Sequence, residues 1–316
     1  MSEIEFSIII PVKPGGEVKA LEALKRSSFP AERVELLIAE GTQPSRQRNM
    51  AAAQARGRFL YFLDDDSIIA AGSLERISHH FTDPQVGVVG GPSLTPPEDG
   101  PWQQAFGAAF SSILGGGGVR NRYRKHGRAR FAGERELILC NLAIRREVFL
   151  QFNGFDERLY PNEENELLDR LLKAGFRSVH DPDIAVYRSQ RATFRAFVRQ
   201  LLTYGRGRGE QARISGKLPV SAAIPSLFLL YMLSLPVVAN AAYTLPLACY
   251  AFAVVCFAAA DAVRVKRGMI MPLLLAVFPA LHLSYGTGLI WGLLSPRFRR
   301  PNGIVGQVVI SRITDA

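Results

Sequence analysis

Short apolar runs alternate with helical stretches along the chain before residue 218. The runs EFSIIIPV, VELLIAEG, RFLYFL and VGVVG are nearly continuous, which is typical of strands buried on both faces of a sheet. Stretches with helical spacing, such as VKALEALKRS and SRQRNMAAAQ, lie between these runs. The alternation predicts an α/β domain, doubly wound (Rossmann-like) around a mainly parallel sheet, over residues 1–217.

The pattern changes at Leu218. The segments Leu218–Ala242, Thr244–Val263 and Met269–Leu294 are nearly uncharged, and each reaches the roughly 20 residues that cross a bilayer. Buried helices of a soluble domain are the alternative, which we disfavour because these segments show no polar face. We therefore expect a transmembrane region of two to three helices over residues 218–294, followed by a short basic tail over residues 295–316.

Flanking charges bear on the topology. The basic loop RVKRG belongs on the cytoplasmic side by the positive-inside rule, which agrees with a cytoplasmic N-terminal domain and two crossings before the loop. A third crossing would place Arg297, Arg299 and Arg300 outside, against that rule. The prolines and glycines of Met269–Leu294 also allow a bent or re-entrant segment. Three crossings is our expectation, with the re-entrant segment as the alternative.

The composition limits the classes of partner that the protein is expected to bind. The 316 residues carry a formal net charge of +10, and such basic proteins commonly meet nucleic acid, anionic lipid or phosphate-bearing substrates. Aromatic residues are too thinly interleaved with the basic runs for nucleic-acid binding, which we do not expect. Three cysteines without a CxxC pair predict no disulfide framework and no zinc site. The N-terminal MSEIEFSIIIP shows no basic region or cleavage site of a signal peptide.

Three acids in a row, Asp64, Asp65 and Asp66, follow the apolar run RFLYFL. They could form a polar turn, supply the nucleophile of an aspartyl-phosphate phosphotransferase, or bind a divalent metal that receives a diphosphate. A polar turn explains one carboxylate better than three, and the lysine and acidic pair of the phosphotransferases is missing. Hard cations prefer carboxylate oxygens and relieve the repulsion among the acids. We therefore favour the metal site.

The ends of the predicted strands carry further polar groups. Ligands of doubly wound sheets bind at the carboxyl ends of the strands, because those ends meet along one rim. Two further ends here are Pro11-Val12-Lys13 and Glu40-Gly41, and the acids Asp64–Asp66 follow a third. These residues are expected to lie together.

A second acidic cluster opens a predicted helix. Glu163, Glu164 and Glu166 crowd its first turn, where the helix dipole favours negative charge. Glu166 can pair with Arg170 one turn later, and Glu163 can assist the cap. Glu164 has no such partner in the sequence, so it is a candidate general base.

Motifs over residues 6–215 occur in the order of a known family: SIIIPV, the Arg48-Asn49 pair in SRQRN, ARGRFLYFLDDDS, LCNLAIRREVF, NGFDERLYPNEENELLDRLLKAGF and RQLLTYGRGR. This stretch resembles a family 2 glycosyltransferase with the GT-A fold. It is most similar to membrane-attached enzymes that extend bacterial polysaccharide or glycolipid repeats, such as the succinoglycan-type glucosyltransferases.

The resemblance implies roles for several residues. Asp66 would bind Mn²⁺ or Mg²⁺, and Asp64, the second candidate for the metal, would contact the ribose or base of the nucleotide. Asp65 also belongs to this donor-binding motif, but its role is the least defined of the three acids. The other implied donor-binding residues are Pro11, Val12, Lys13, Glu40 and Arg48.

The resemblance also implies acceptor and catalytic residues. Cys140 and Asn141 would bind the acceptor sugar, although a small buried core residue is the alternative for Cys140. Glu164 takes the position of the base, where the family usually has Asp, so Glu163 remains an alternative. The expected reaction is one in-line displacement that inverts the anomeric carbon, with cations neutralising the departing diphosphate.

Two departures from the family pattern change the expectation. The stretch IAVYRSQR offers Arg188 and Arg191 where many GT-A enzymes have a metal-binding His, so an arginine would bind phosphate instead. The Q-x-x-R-W signature of processive synthases is absent, which predicts one sugar per acceptor.

Two basic runs remain, over residues 120–131 and 204–213. They are either solvated, juxtamembrane charge or a clamp for donor or lipid-pyrophosphate groups, formed by Arg206, Arg208 and Arg124. The glycines at 115–118 would let the first run move as a lid.

The combined expectation is a multi-pass protein of the cell inner membrane with a cytoplasmic catalytic domain. It would transfer a sugar from a UDP- or GDP-sugar to a lipid-linked or saccharide acceptor. A polyprenyl-phosphate sugar synthase, whose acceptor needs no base, and an inactive membrane scaffold on the same fold are the alternatives.

Overall fold

A computed structural model describes residues 3–25, 28–238, 240–299 and 306–313 of the chain. The strands are β1 (Phe6–Val12), β2 (Val34–Glu40), β3 (Phe59–Leu63), β4 (Ile68–Ile69), β5 (Val86–Gly90), β6 (Ser93–Leu94), β7 (Arg130–Phe131), β8 (Asn141–Arg145), β9 (Arg177–His180), β10 (Val186–Tyr187) and β11 (Val309–Ile313). The α-helices are α1 (Ala20–Leu24), α2 (Pro44–Gln54), α3 (Ser73–His80), α4 (Pro101–Phe110), α5 (Arg146–Gln151), α6 (Glu163–Lys173), α7 (Phe194–Ser215), α8 (Val220–Ser234), α9 (Leu245–Arg264) and α10 (Met271–Leu294).

The chain divides into two compact units. The first, here called the sheet unit, comprises Met1–Leu94, Asn121–Arg188 and Pro301–Ala316. The second, the helical unit, comprises Thr95–Arg120 and Ser189–Arg300. The predicted domain division at residues 217 and 294 remains a prediction.

The sheet unit is built on an eight-stranded sheet in the order β11-β2-β1-β3-β8-β5-β9-β7. Alternate residues of its central strands enter cores on opposite faces. Ile8 and Tyr61 pack on one face, and Ile9 and Phe62 pack on the other. The prediction that these apolar runs are strands buried on both faces is confirmed. A second sheet has three short strands in the order β4-β10-β6.

The large sheet is mixed, so the expectation of a mainly parallel sheet is corrected. β1 runs parallel to β2 and β3, and β5 runs parallel to β9. β8 lies between β3 and β5 and is antiparallel to both, and the edge strands β11 and β7 are antiparallel to their neighbours. The cause is the insertion of β8, because it separates the parallel pairs on either side.

The helical unit depends on close contact between α7 and α10. A Cβ atom added at Gly205 would lie 2.1 Å from Tyr285 O, and one added at Gly292 would lie 2.1 Å from Arg206 O. Leu202 lies beside Gly288 and Arg206 beside Gly292, so the two helices run parallel. Glycines four residues apart let helix backbones approach closely. Gly205 and Gly209 of YGRGRG therefore serve packing.

The apolar segments form α8, α9 and α10. Two helical stretches, Ala241–Arg264 and Gly268–Leu294, are long and apolar enough to cross a membrane by length and composition. The first predicted segment, Leu218–Ala242, forms a helix of only 15 residues. Such a helix is about 22 Å long, which is less than the roughly 30 Å of a bilayer core.

Candidate active site

The ends of three adjacent strands meet on one rim of the sheet unit. β1 pairs in parallel with β2 and β3, and Val12 lies opposite Glu40 at the end of its strand. Gln47 of α2 donates hydrogen bonds from Nε2 to Val12 O, at 2.9 Å, and to Ala39 O. The structure thus brings together the strand ends that the sequence singled out, with Pro11, Lys13 and Asp64 next to them.

The acidic turn begins directly after β3. Asp64 and Asp66 both contact Arg188, whose Nη2 lies 3.2 Å from Asp64 Oδ2 and whose Nε lies 2.8 Å from Asp66 Oδ1. Burial raises the pKa of Asp65, and the neighbouring Asp66 and Asp64 carboxylates add to this rise. The three acids are therefore a repulsive cluster that a cation stabilises, as the sequence indicated.

Arg188 reaches the acids because β10 ends beside them. Its backbone N–H donates to Leu94 O at 2.9 Å, which continues the parallel pairing of β10 with β6. A guanidinium cannot ligate a metal, but it neutralises carboxylates and binds phosphate in a bidentate manner. The donor-phosphate contact predicted for Arg188 remains a prediction.

The residues present fit a divalent cation of the kind that takes few protein ligands. The described residues contain no group of three His, Cys, Asp or Glu side chains that could hold a metal ion. Mg²⁺ is usually bound by one or two carboxylates together with substrate phosphates, and Asp64 and Asp66 offer two. The Asp66 side chain is 41% exposed, so it is accessible to an ion that arrives with a diphosphate.

A buried arginine joins the acidic turn to the start of α6. Arg48 of α2 donates from Nη2 to Asp64 Oδ1 at 2.9 Å and from Nη1 to Glu163 Oε1 at 3.0 Å. Arg48 and Glu163 are 4% and 1% exposed. Burial raises the pKa of Glu163 to about 7, while Arg48 lowers it and Glu164 raises it further. Glu163 is thus tied through Arg48 to the acidic turn.

Glu164 lies next to Glu163 and has different partners. Its Oε1 accepts a hydrogen bond from Asn165 Nδ2 at 3.3 Å and lies 3.6 Å from Arg122 Nη1. Asn162 precedes the helix at a φ of 86°, and the first turn of α6 directs the two glutamates to different partners. Glu166 pairs with Arg170, as predicted.

Arg122 was not singled out from the sequence. It is buried, its Nη2 donates to Asn165 Oδ1, and its Nε donates to Arg135 O at 3.0 Å. The run RNRYRKHGRARF identifies a basic segment, but the sequence does not indicate which of its arginines is buried.

Cys140 and Asn141 lie at the start of β8. Both are buried, and burial raises the pKa of the Cys140 thiol to about 11. The Asn141 amide accepts from Tyr61 Oη at 2.7 Å and donates to Ile184 O at 2.7 Å. These contacts support the alternative of a core residue for Cys140, and the acceptor-binding role of the pair remains a prediction.

Arg206 and Arg208 belong to the helical unit. The Arg206 guanidinium stacks on Trp291 at 4.1 Å, pairs with Glu210 at 3.3 Å and donates to Ser295 O at 3.0 Å. Arg208 Nη1 donates to Gln211 Oε1 at 2.9 Å. The contacts of Arg206 with Trp291 and Ser295 hold α7 to α10, whereas this hydrogen bond of Arg208 lies within α7. The predicted phosphate-binding role of both arginines stays a prediction.

Relatives of known activity match parts of the chain. The pre-mycofactocin glycosyltransferases of two Mycobacterium tuberculosis strains are 28% identical to it over 162 residues, which is 51% of this chain and 33% of theirs. The match therefore spans about a third of the length of these relatives. The succinoglycan-type resemblance remains a prediction.

A solved structure has the same fold. The mannosyltransferase PcManGT from Pyrobaculum calidifontis, in complex with GDP-Man and Mn²⁺, superposes with a TM-score of 0.56. It is 16% identical, and the alignment covers 92% of this chain and 88% of PcManGT. This likeness confirms the predicted GT-A architecture, an α/β fold around a large central sheet. The family model described as "Glycosyl transferase family group 2" matches residues 59–291, from the middle of the sheet unit to the last apolar helix, and the chain belongs to that family.

Proposed function

We propose that the chain is an inverting glycosyltransferase that moves a sugar from a nucleotide-diphosphate sugar to an acceptor hydroxyl. The observation that carries the proposal is the ion-pair chain from Glu163 through Arg48 to Asp64. It fixes the acidic turn that would receive the donor at a set position relative to the start of α6, whose second residue is Glu164. Donor binding and proton removal need such a fixed relation.

The donor would bind along the rim formed by β1, β2 and β3. Pro11, Val12, Lys13 and Glu40 lie at the ends of β1 and β2, where nucleotides bind in sheets of this kind. PcManGT, which shares the fold, holds GDP-Man and Mn²⁺. This supports a UDP- or GDP-sugar as the donor here.

Asp66, with Asp64 beside it, would hold Mn²⁺ or Mg²⁺, which would neutralise charge on the departing diphosphate. Arg188 is a second cation at the same place. Because it already pairs with both acids, it can exchange a carboxylate partner for a phosphate oxygen of the donor. Cationic charge is thereby present where negative charge develops.

Glu164 would act as the general base. It would take the proton of the acceptor hydroxyl as that oxygen forms a bond to the anomeric carbon. The bond from that carbon to the diphosphate oxygen breaks on the opposite side, and the nucleotide diphosphate leaves with the electron pair. Glu163 is less suited to this role because it is buried against Arg48.

The acceptor is proposed to be a lipid-linked saccharide in polysaccharide or glycolipid assembly, reached from the cytoplasmic face of the inner membrane. The two apolar stretches that could span a membrane support attachment. The lack of a processive signature supports the addition of one sugar.

Glu164→Gln tests the assignment of the base. We expect kcat to fall by roughly 10²–10⁴-fold while nucleotide affinity, measured by calorimetry with Mn²⁺, is retained. Glu166→Gln is the matched control, because Glu166 lies on the same helix turn and pairs with Arg170. Near-normal turnover of Glu164→Gln would defeat this assignment and favour a phosphate acceptor. Activity that persists in EDTA would contradict the proposed role of a divalent metal ion.

A further inference from the structure

The C-terminal strand is part of the sheet unit. β11 pairs antiparallel with β2 from Val309 opposite Glu40 to Ile313 opposite Leu36. The tail that was predicted as a short basic segment thus forms an edge strand of the large sheet.

A buried ion pair fixes this strand in place. Glu35 of β2 is fully buried, and it accepts hydrogen bonds from Ser7 Oγ and from the Arg56 backbone N–H. Its cationic partner among the described residues is Arg312 of β11, which also donates to Gln54 O. A buried carboxylate without its cation is strongly destabilising. The tail must therefore be on the same side of any bilayer as the rest of the sheet unit.

The basic loop after α9 is hydrogen-bonded to the segment that follows β6 in the chain. Arg267 donates to Pro97 O, and Arg264 Nη2 donates to Ser111 Oγ at 2.8 Å. Pro97 follows Leu94 of β6 by three residues, and three residues span at most about 11 Å. A bilayer core is about 30 Å thick, so this loop cannot lie on its far side.

Both ends of α10 are consequently on one side. Its first turn follows the basic loop, and beyond its last turn Arg297 pairs with Glu210 of α7. Arg299 and Gly306 are seven residues apart, at most about 25 Å of chain, before the tail enters the sheet. α10 is long enough to cross a bilayer, but its connections do not allow a crossing.

The α8–α9 hairpin is the remaining apolar segment that can enter a bilayer. Leu218–Ala260 contains no charged residue, whereas Lys217 precedes it and Arg264 follows it. The two helices are antiparallel. The ring of Phe228 lies 4.3 Å from that of Tyr250 in α9, and the later Tyr231 Oη donates to Tyr243 O, just before α9, at 2.8 Å. α8 also exposes large apolar side chains at helical spacing: Val220, Ile224, Leu227, Leu230 and Leu233.

We propose that the α8–α9 hairpin is the one segment that enters the bilayer and that it returns to the side it came from. The sheet unit, the basic loop, α10 and the tail would all lie on the cytoplasmic face. This proposal differs from the expectation of three crossings. It also leaves every basic cluster, including Arg297, on the cytoplasmic side, as the positive-inside rule requires. The inference rests on the membrane attachment proposed above.

Cysteine labelling in bacterial spheroplasts tests this topology. In a background with Cys249→Ala and Cys256→Ala, which leaves only the buried Cys140, one exposed cysteine is added at a time. Gln307→Cys probes the tail, Met269→Cys probes the basic loop, and Ala53→Cys on α2 is the reference for the sheet unit. All three should resist an impermeant maleimide in intact spheroplasts and react fully after lysis.

Each other outcome overturns the proposal. Labelling of Gln307→Cys alone in intact cells would establish three crossings, and labelling of Met269→Cys alone would make α10 a crossing helix. Labelling of all three would reverse the orientation. Recovery of the protein in the soluble fraction without detergent would show that the protein is not attached to a membrane. None of these readouts depends on sugar transfer, so an inactive preparation gives the same answer.

Discussion

Glu163 and Glu164 are neighbours in sequence, yet the fold gives them different surroundings. Glu163 faces Arg48 inside the sheet unit, and Glu164 lies between Asn165 and Arg122. Successive residues on a helix point about 100° apart, so one can serve structure while the next serves chemistry. This division makes separate predictions possible for the two residues.

Glu163 should make stability fall as pH rises. Its folded pKa is raised from 4.5 to about 7, so between these values the unfolded chain has lost a proton that the folded chain keeps. The free energy of unfolding then decreases over that window, by about 3 kcal/mol in all. Glu163→Gln cannot titrate, so the variant should gain melting temperature relative to the wild type from pH 5 to pH 7.

Glu166→Gln is the control for this titration, because its ion pair with Arg170 is partly exposed. That variant should keep the wild-type dependence of melting temperature on pH. Parallel curves for the wild type and Glu163→Gln would show that Glu163 does not titrate in this range.

Arg188 should compete with a metal ion for the acids. Arg188→His removes the guanidinium that pairs with Asp64 and Asp66 and introduces a possible ligand. We expect Mn²⁺ affinity without nucleotide to rise about tenfold, equivalent to about 1.4 kcal/mol of lost competition, as measured by electron paramagnetic resonance of free Mn²⁺.

Two variants refine this experiment. Arg188→Gln removes the charge without adding a ligand, so it separates the two effects. Arg191→His places an imidazole on an exposed neighbouring position and should leave Mn²⁺ binding unchanged. Equal Mn²⁺ affinity of the wild type and Arg188→His would rule out competition.

Some residues of the candidate site can be recognised from the sequence alone and others cannot. The acids Asp64–Asp66 stand out because three like charges after a buried strand need a cation. Arg122 does not stand out, because it lies among other basic residues and only tertiary packing buries it. Arg312 does not stand out, because only tertiary packing pairs it with a buried acid.

At the scale of elements, strands buried on both faces were predictable because their apolar runs are continuous. β8 was harder to place, since its direction depends on fitting between β3 and β5 and not on its own sequence. β11 was missed for a similar reason. Its residues are half exposed at the edge of the sheet, so they show no long apolar run.

The contact of α7 with α10 makes a prediction at this scale. Gly205→Ala would bring a Cβ atom to 2.1 Å from Tyr285 O, so the helices must separate. We expect a loss of about 1–3 kcal/mol, measured by thermal unfolding in detergent. Gly268→Ala, which meets nothing within 4 Å, is the control and should melt like the wild type. Equal stability of the two variants would argue against close packing of α7 on α10.

For the whole molecule, the first and last parts of the chain are joined in one sheet. β2 lies between β1 and β11, so the tail covers what would otherwise be an open sheet edge next to the donor rim. Val309 lies opposite Glu40, at the end of β2 where the nucleotide is proposed to bind. Stability and nucleotide binding should therefore both depend on the tail.

Deletion of residues 306–316 tests this dependence. The deletion removes Arg312 from the buried Glu35, and we expect a loss of about 3–5 kcal/mol in the free energy of unfolding together with weaker UDP or GDP binding. Glu35→Gln in the shortened chain should restore part of the stability, because a neutral amide needs no cation. The same substitution in the full chain should destabilise it, since Arg312 then loses its acid. A shortened chain as stable as the full one would mean that β2 is the true edge of the sheet, and the tail would no longer constrain how the chain meets the membrane.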